Sequence, residues 1–372
     1  MKRRFWLVII ILSITVLPGC WDFQEVDKLS FATTIGVDRG QKEAINVSIQ
    51  IPIVQAGLPP VITGGKEAKK FFLIDQTADT VGNALDSLEI KSVRSIVFNQ
   101  AKSVIINEAI ARQDIRPVLD HFVRTTQMPL PAFILITDGV TAEDVLKFDP
   151  VQNLLPGMMF IYAGQAATKY DMTCFIQHWE FQQKLIHRSK DPYAPLISLD
   201  KTHRVYVISD LAVFSGNRMV GKLSGKEVEI FGLLIGVQKS GMMIFNIPGG
   251  KITLRNVHGT SKIKVRMKHG KPTFKVNTTV FGSITEVLPS RTTIAPRDIK
   301  RFEKIIARQI RNREIKLMKK LQGYNSDIVD FGEEFRVQHP YIWKKTKWRA
   351  VYPTVPFEVN TKVKIDGDGR FR

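Results

Sequence analysis

The chain has 372 residues, 44% hydrophobic and 24% charged, with two cysteines and a formal net charge of +19. That length holds two or three packed domains, the apolar content argues against a disordered chain, and two cysteines rule out a disulfide framework or a Cys-rich zinc site. So strong a positive balance points to nucleic acid, anionic lipid or an acidic protein as partner.

The first twenty residues decide among these. They open Met1-Lys2-Arg3-Arg4, continue as an apolar run from Phe5 to Leu17 broken only by Ser13 and Thr15, and end Leu17-Pro18-Gly19-Cys20. A positive start, a short apolar core and a small-residue cleavage site define a secretory signal. The run falls several residues short of the about 20 that a membrane-spanning helix needs, so residues 1–19 are expected to be a signal peptide. Leu17 and Gly19 ahead of Cys20 resemble the lipobox of bacterial lipoproteins, with Pro18 a departure from it. That likeness implies cleavage before Cys20 and a covalent diacylglycerol and N-acyl lipid on that residue. Each buried methylene contributes about 0.8 kcal/mol, so more than one chain anchors stably. Export takes nucleic acid off the list and leaves membrane lipid or an acidic partner. Cys174, in an apolar context, reads as a buried small residue.

Residues 29–38 read as a strand and 43–53 as its hairpin partner. Residues 55–70, rich in Gly, Pro and Lys, read as an exposed loop, and 71–74 as a short strand. Val81, Ala84, Leu85 and Leu88 recur at helical spacing, predicting a helix over 77–88 capped by Thr77 or Asp79. Strands are predicted at 102–106 and 132–137, with a helical stretch over 110–124 that breaks or restarts at Pro117. Such alternation predicts an N-terminal α/β region.

Residues 191–195 (Asp-Pro-Tyr-Ala-Pro) read as a linker, dividing the chain into domains of residues 20–195 and 196–372, the latter open to subdivision, for three domains in all. Strands are then expected over 205–214, 230–237, 242–247, 263–267 and 273–281, with turns at Ser215-Gly216-Asn217 and Lys239-Ser240-Gly241. Ile299, Phe302, Ile306, Ile310, Leu317 and Leu321 mark one face of a long helix over 299–321, interrupted near Arg313. Lys300, Arg301, Lys304, Arg308, Arg311, Lys316, Lys319 and Lys320 surround that face. Such a helix either seats its apolar side on a core with a solvated basic back, or turns that back to a membrane or an acidic partner. Arg308, Arg311 and Lys316 are the candidate partner contacts. Residues 359–365 alternate as a closing strand. The expected fold class is α+β, multi-domain, with mixed sheets and flanking helices and a strand-rich C-terminal half holding one long amphipathic helix.

No catalytic constellation emerges. The seven histidines lack metal-ligand spacing. Thr63-Gly64-Gly65-Lys66 lacks the spacing of a P-loop, and neither Ser224-Gly225 nor Ser240-Gly241 forms a nucleophile elbow. Asp366 to Gly369 begins like a calcium loop but lacks the later glutamate. Trp343 and Trp348 lie among Lys344, Lys345, Lys347 and Arg349, an interleaving that single-strand nucleic-acid readers use. Tryptophan more generally dominates core burial, and the pair reads as domain packing. No metal, no further cofactor and no enzymatic activity are expected.

Three further stretches complete the pattern. Gly19-Cys20-Trp21-Asp22, then Glu25, leads into Ile35-Gly36-Val37-Asp38. Asp210-Leu211-Ala212-Val213-Phe214 leads into Gly221-Lys222-Leu223-Ser224 and Glu227. After the helix with Arg308 to Gln322 come Asp327-Ile328, Phe331-Gly332-Glu333, Pro340, Trp343 and Trp348. From Cys20 to the C-terminus the chain thus resembles the C-subunit lipoproteins of spore germinant receptors, the Ger(x)C family. Its opening GCWD, following GxD strand and FG…P…W…W ending match these positions. The resemblance makes Trp21, Asp22, Gly36, Asp38, Asp327, Gly332, Pro340, Trp343 and Trp348 motif positions with structural roles. It also implies a non-enzymatic subunit on the outer leaflet of the spore inner membrane, assembled with the receptor's A and B membrane subunits and needed for the complex to signal. The rival reading is a substrate-binding lipoprotein of an uptake system, which calls for a two-lobed parallel α/β fold around a deep cleft.

Overall fold

The computed structural model describes residues 25–41, 44–53, 71–124, 128–129, 131–151, 156–170, 174–237, 240–289 and 295–366. Cys20, Trp21, Asp22 and the expected loop over 55–70 lie outside them. In chain order the first half runs β1 (Leu29–Phe31), β2 (Thr34–Arg39), β3 (Ile45–Pro52), β4 (Phe71–Ala78), α1 (Val81–Lys91), β5 (Ser95–Val97), β6 (Ser103–Ile106), α2 (Glu108–Gln113), α3 (Arg116–Arg124), β7 (Phe133–Thr137), α4 (Ala142–Lys147), α5 (Pro156–Tyr170), α6 (His178–Ile186) and β8 (Tyr193–Asp200). The second half runs β9 (Val205–Val207), β10 (Leu211–Ser215), β11 (Arg218–Leu223), α7 (Gly225–Ile235), β12 (Gly241–Ile247), β13 (Gly250–Lys268), β14 (Lys271–Leu288), α8 (Pro296–Gly323), α9 (Phe331–Gln338), α10 (Pro340–Trp343), α11 (Trp348–Val351) and β15 (Phe357–Ile365).

A nine-stranded sheet in the order β11-β10-β8-β7-β6-β2-β3-β4, with β9 beside β8, forms the larger layer. Its centre is parallel, β2 to β6 to β7 to β8, and its flanks are antiparallel. Helices cover both faces, which explains why β6 and β7 are unbroken apolar runs rather than alternating ones. Ile134 and Ile136 enter the main core on one face, while Leu135 packs with Ile105, Val145, Leu146 and Phe160 on the other. A second, four-stranded sheet in the order β12-β13-β14-β15 carries α8 across one side. One continuous core joins the two sheets, running from Val47 and Ile134 through Phe214 and Phe231 to Phe245, Val276 and Ile306. The architecture is α+β with mixed sheets, as the sequence implied.

Several local expectations are corrected. Residues 191–195 are not a linker: Tyr193 to Pro195 open β8, paired with β10, and Asp191 is buried. Pro195 is tolerated because β7 joins β8 only from Leu196 onward, so few ladder donors are at stake. The expected boundary at 195/196 therefore falls within a strand, and the large sheet continues past it into β10 and β11. Residues 230–235 form the C-terminal part of α7, with Gly236 capping it, rather than a strand. Val228, Ile230, Phe231, Leu233 and Leu234 are all buried, so an apolar surround hides the helical period. Ser224 N–H donates to Glu227 Oε2 at 2.9 Å and starts that helix. Strand β4 runs on to Ala78, so α1 is capped by Thr80, whose hydroxyl accepts from Asn83 N, and not by Thr77 or Asp79. The strand over 29–38 breaks into β1 and β2, that over 205–214 into β9 and β10, and those over 263–267 and 273–281 are parts of one long β13–β14 hairpin.

The Gly36-Val37-Asp38 motif seats α4 on the large sheet. A Cβ on Gly36 would come within 3.2 Å of the Ala142 Cβ, so the bare backbone permits the close crossing. Asp38, two residues on and facing the same way, accepts from Ala142 N and Glu143 N at 2.8 Å each and from Asn107 Nδ2 at 2.8 Å. Burial raises its pKa above the ordinary value, against the pull of those donors. Asp38→Asn replaces one acceptor by an NH₂ facing an N–H. It should lower stability by about 1–3 kcal/mol, read as a lower urea midpoint; an unchanged midpoint would show that the three bonds are dispensable.

Candidate functional site

The motif residues of the C-terminal third converge on one buried carboxylate. Asp327 follows α8 and is enclosed on all sides. Its Oδ1 accepts from Phe331 N at 2.9 Å, and its Oδ2 accepts from Gly332 N at 2.6 Å and from Trp348 Nε1 at 3.0 Å. The first turn of α9 and the indole of α11 are thus tied to the same two oxygens. A Cβ on Gly332 would lie 2.5 Å from Trp348 Nε1 and 2.7 Å from Ser189 O, so a side chain there would separate these pieces. Burial pushes the Asp327 carboxyl up to about 8, the nearby Asp330 and Asp191 adding to it and the Gly332 and Phe331 amides opposing it.

A second aspartate links this knot to the large sheet. Asp191 Oδ2 accepts from Asp327 N at 2.8 Å, while its Oδ1 accepts from Gly216 N and from Arg349 Nη2, both at 2.6 Å. Lys184 on α6 reaches Asp330 at 2.8 Å, and Ser189 Oγ donates to Glu333 at 2.7 Å. Around the knot Phe274 of β14 stacks on Phe331, centroids 4.6 Å apart and planes 8° from parallel. Trp348 meets Phe335, Trp343 and Tyr352 at 5.5–5.9 Å. Trp348 is buried and Trp343 half-buried, with Lys344, Lys345 and Lys347 outside, as packing rather than base stacking requires. Pro340 starts α10 at its exposed end.

Helix α8 lies elsewhere. Phe302, Ile306, Ile310, Leu317 and Leu321 are buried, and Arg308 and Lys316 are exposed on the far side. Arg311 is also exposed, yet its Nε donates to Val359 O at 2.9 Å and so fastens the helix to β15. Lys320 pairs with Glu227 of α7 at 2.7 Å. Arg313 does not break the stripe by leaving a gap: Glu314 fills the core position. It is fully buried, accepts from Thr361 Oγ1, and burial raises its pKa.

The structure therefore brings Asp327, Gly332, Trp343 and Trp348 together and places Gly36 and Asp38 in a separate cap. Arg308 and Lys316 share the solvent side of α8. The sequence reading missed Asp191, Ser189, Lys184 and Arg349, whose side-chain partners are remote in sequence and leave no local signal. Glu314 did leave one, the four-residue step from Ile310, but its charge disguised a core position.

The chain matches spore germination families along most of its length. Residues 22–199 match the family described as spore germination protein N-terminal domain, and residues 209–369 match spore germination B3/GerAC like, C-terminal. YfkR of Bacillus subtilis (strain 168) is 26% identical over 386 aligned positions, covering 99% of this chain and 98% of that protein. The spore germination protein GerQC of Bacillus cereus is 24% identical, with 99% of each covered. The crystal structure of the GerBC protein superposes with a TM-score of 0.56 at 21% identity, covering 93% of this chain and all of that one.

The raised Asp327 pKa fixes a sign. A carboxyl whose folded pKa lies above its ordinary value contributes stability that is complete below that ordinary value and is lost as the pH rises to about 8. The stability difference between wild type and Asp327→Asn should accordingly shrink from pH about 4 to pH about 8, followed by urea unfolding at several pH values. A difference that stays constant across the window would show that Asp327 keeps an ordinary pKa.

Proposed function

The chain belongs to the Ger(x)C family of spore germination proteins, and from that premise we propose that it is the lipid-anchored C subunit of a nutrient germinant receptor, needed for the complex to trigger germination. The observation that carries this reading is the end-to-end match. Two family models follow one another along nearly the whole chain, and relatives are covered over almost their full length. The motif side chains support a scaffold rather than a reaction centre, because their polar atoms are engaged in internal clamps and their rings in packing.

In this reading residues 1–19 direct export, Cys20 takes the diacylglycerol and N-acyl chains, and the folded domains stand on the outer leaflet of the spore inner membrane. No helix among the described residues is long and apolar enough to cross a membrane. The partners are the receptor's A and B membrane subunits, the subunit itself does no catalysis, and the solvent side of α8 with Arg308 and Lys316 is a contact surface for them. The continuous core between the two sheets gives the uptake-protein alternative no support, since that reading needs two lobes separated by a cleft.

Cys20→Ala should move the protein from the membrane to the soluble fraction of dormant spores and abolish the nutrient response. Retention in the membrane fraction would disprove anchoring through this residue. Arg308→Glu with Lys316→Glu spares the Arg311 bond to β15 and should cut co-purification of the A and B subunits about tenfold. Full recovery of the complex would make that face of α8 merely solvated.

A further inference from the structure

We infer that the outer face of the four-stranded sheet is a docking face for an extended acidic segment of a partner protein. The inference goes beyond the receptor reading and holds whether or not the chain is lipid-anchored.

The inner face of this sheet is closed by α7, α8 and α9, and around Lys264 the side chains on the outer face of β13 to β15 are exposed or half-buried among the described residues. On β13 every second side chain over one stretch is a cation: Lys262, Lys264, Arg266 and Lys268, all exposed. Lys275 on β14 and Lys362 and Lys364 on β15 extend the array across the sheet, placed by the register Lys264↔Lys275↔Glu358 and Thr279↔Lys362. Glu358 is the acid within these rows, 3.8 Å from Lys275, and none of the four β13 cations has an ion pair among the described residues. Lys264 and Lys275 stand directly opposite one another, an arrangement that costs stability. A face kept only for solubility intersperses the two signs, and this one does not.

The geometry selects the occupant. Alternate residues of a strand repeat at about 6.8 Å, so the β13 cations recur at the side-chain repeat of another extended chain. An acid at every second residue of such a segment meets one cation each. Between the cations lie Thr260, Thr279, Asn277 and Asn360, which offer hydrogen bonds to a main chain. They are not apolar groups of the kind that enter a bilayer. The one aromatic in the rows, Phe281, is already engaged: His258 stacks on it at 5.1 Å and Lys364 sits 5.6 Å over its ring. Strand addition at the β13 edge is blocked, because Gln338 of α9 accepts from Val265 N at 2.9 Å and donates to Ile263 O at 3.1 Å. The segment lies on the face, held by charge.

The test uses the full chain in detergent and fluorescent poly-L-glutamate of about 20 residues, with binding followed by anisotropy at low salt. Lys262→Glu/Lys264→Glu/Arg266→Glu should weaken binding at least about tenfold. The same charge change on α8, Lys300→Glu/Arg301→Glu/Lys304→Glu, should weaken it less than about twofold. The isosteric set Lys262→Gln/Lys264→Gln/Arg266→Gln, which removes charge without introducing repulsion, should fall between. Equal losses from the sheet and helix sets would reduce the effect to net charge and overturn the proposal. So would loss of binding to phosphatidylglycerol vesicles with poly-glutamate binding intact, which would assign the face to lipid.

Discussion

Burying a carboxyl group is expensive unless hydrogen-bond partners surround it, and Asp327 draws its donors from two elements, α9 and α11. Two come from the start of α9 and one from the Trp348 indole. The Asp327 amide is itself held by Asp191, which sits just ahead of the large sheet's β8. Removing an acceptor from such a set strands N–H groups in a dry interior, at about 1–3 kcal/mol each. The arrangement consequently tolerates one geometry. Once α9 is fixed, Phe331 lies flat on Phe274 and Gln338 meets the exposed edge of β13. Beyond Val257, where its pairing with β12 ends, β13 has no neighbouring strand on that edge among the described residues and is held by a helix that Asp327 orients.

This dependence explains which parts of the fold were legible in the sequence. Elements whose apolar pattern is one-sided, such as α1 and α8, are readable from spacing alone. Those surrounded by core are not: α7 reads as a strand because both its sides are apolar, and only the Ser224 and Glu227 pair at its start carries the helical signal. Residues 191–195 read as a linker because Asp and Pro favour turns. Their actual role is set by Gly216, Asp327 and Arg349, all remote in sequence. Local rules fail where long-range hydrogen bonds decide. The candidate site divides the same way. The motif positions were named from resemblance, whereas their mutual contact at Asp327 required the structure.

Charge is handled in two distinct ways. Some cations are absorbed internally: Arg349 by Asp191, Lys184 by Asp330, Lys320 by Glu227, Lys222 by Glu108 and Asp138. These are part-buried pairs whose acids would otherwise be left without a counter-charge. Others are left outside, on the back of α8 and on the outer face of the small sheet, where Glu358 beside Lys275 is the acid in the cation rows. The basic helix, conspicuous in the sequence, loses part of its apparent availability, since Arg311 and Lys320 serve its own packing. The hairpin cations, spread over alternating positions that no helical projection gathers, come together only once the register is known.

That separation bears on what family likeness can convey. Of the positions that carry the resemblance, Gly36, Asp38, Asp327, Gly332 and Trp348 lie under close sterics or buried hydrogen bonds, whereas Pro340 is exposed. The former specify how the layers are clamped. Partner choice is a difference in affinity written on the exposed faces. On a rigid sheet the ordering entropy of the cations' backbone is already met by folding, so an incoming chain need lose only its own freedom. A rigid sheet of aligned lysines is thus better placed to discriminate among acidic segments than a mobile basic tail, and the buried aspartate is what keeps that sheet in position.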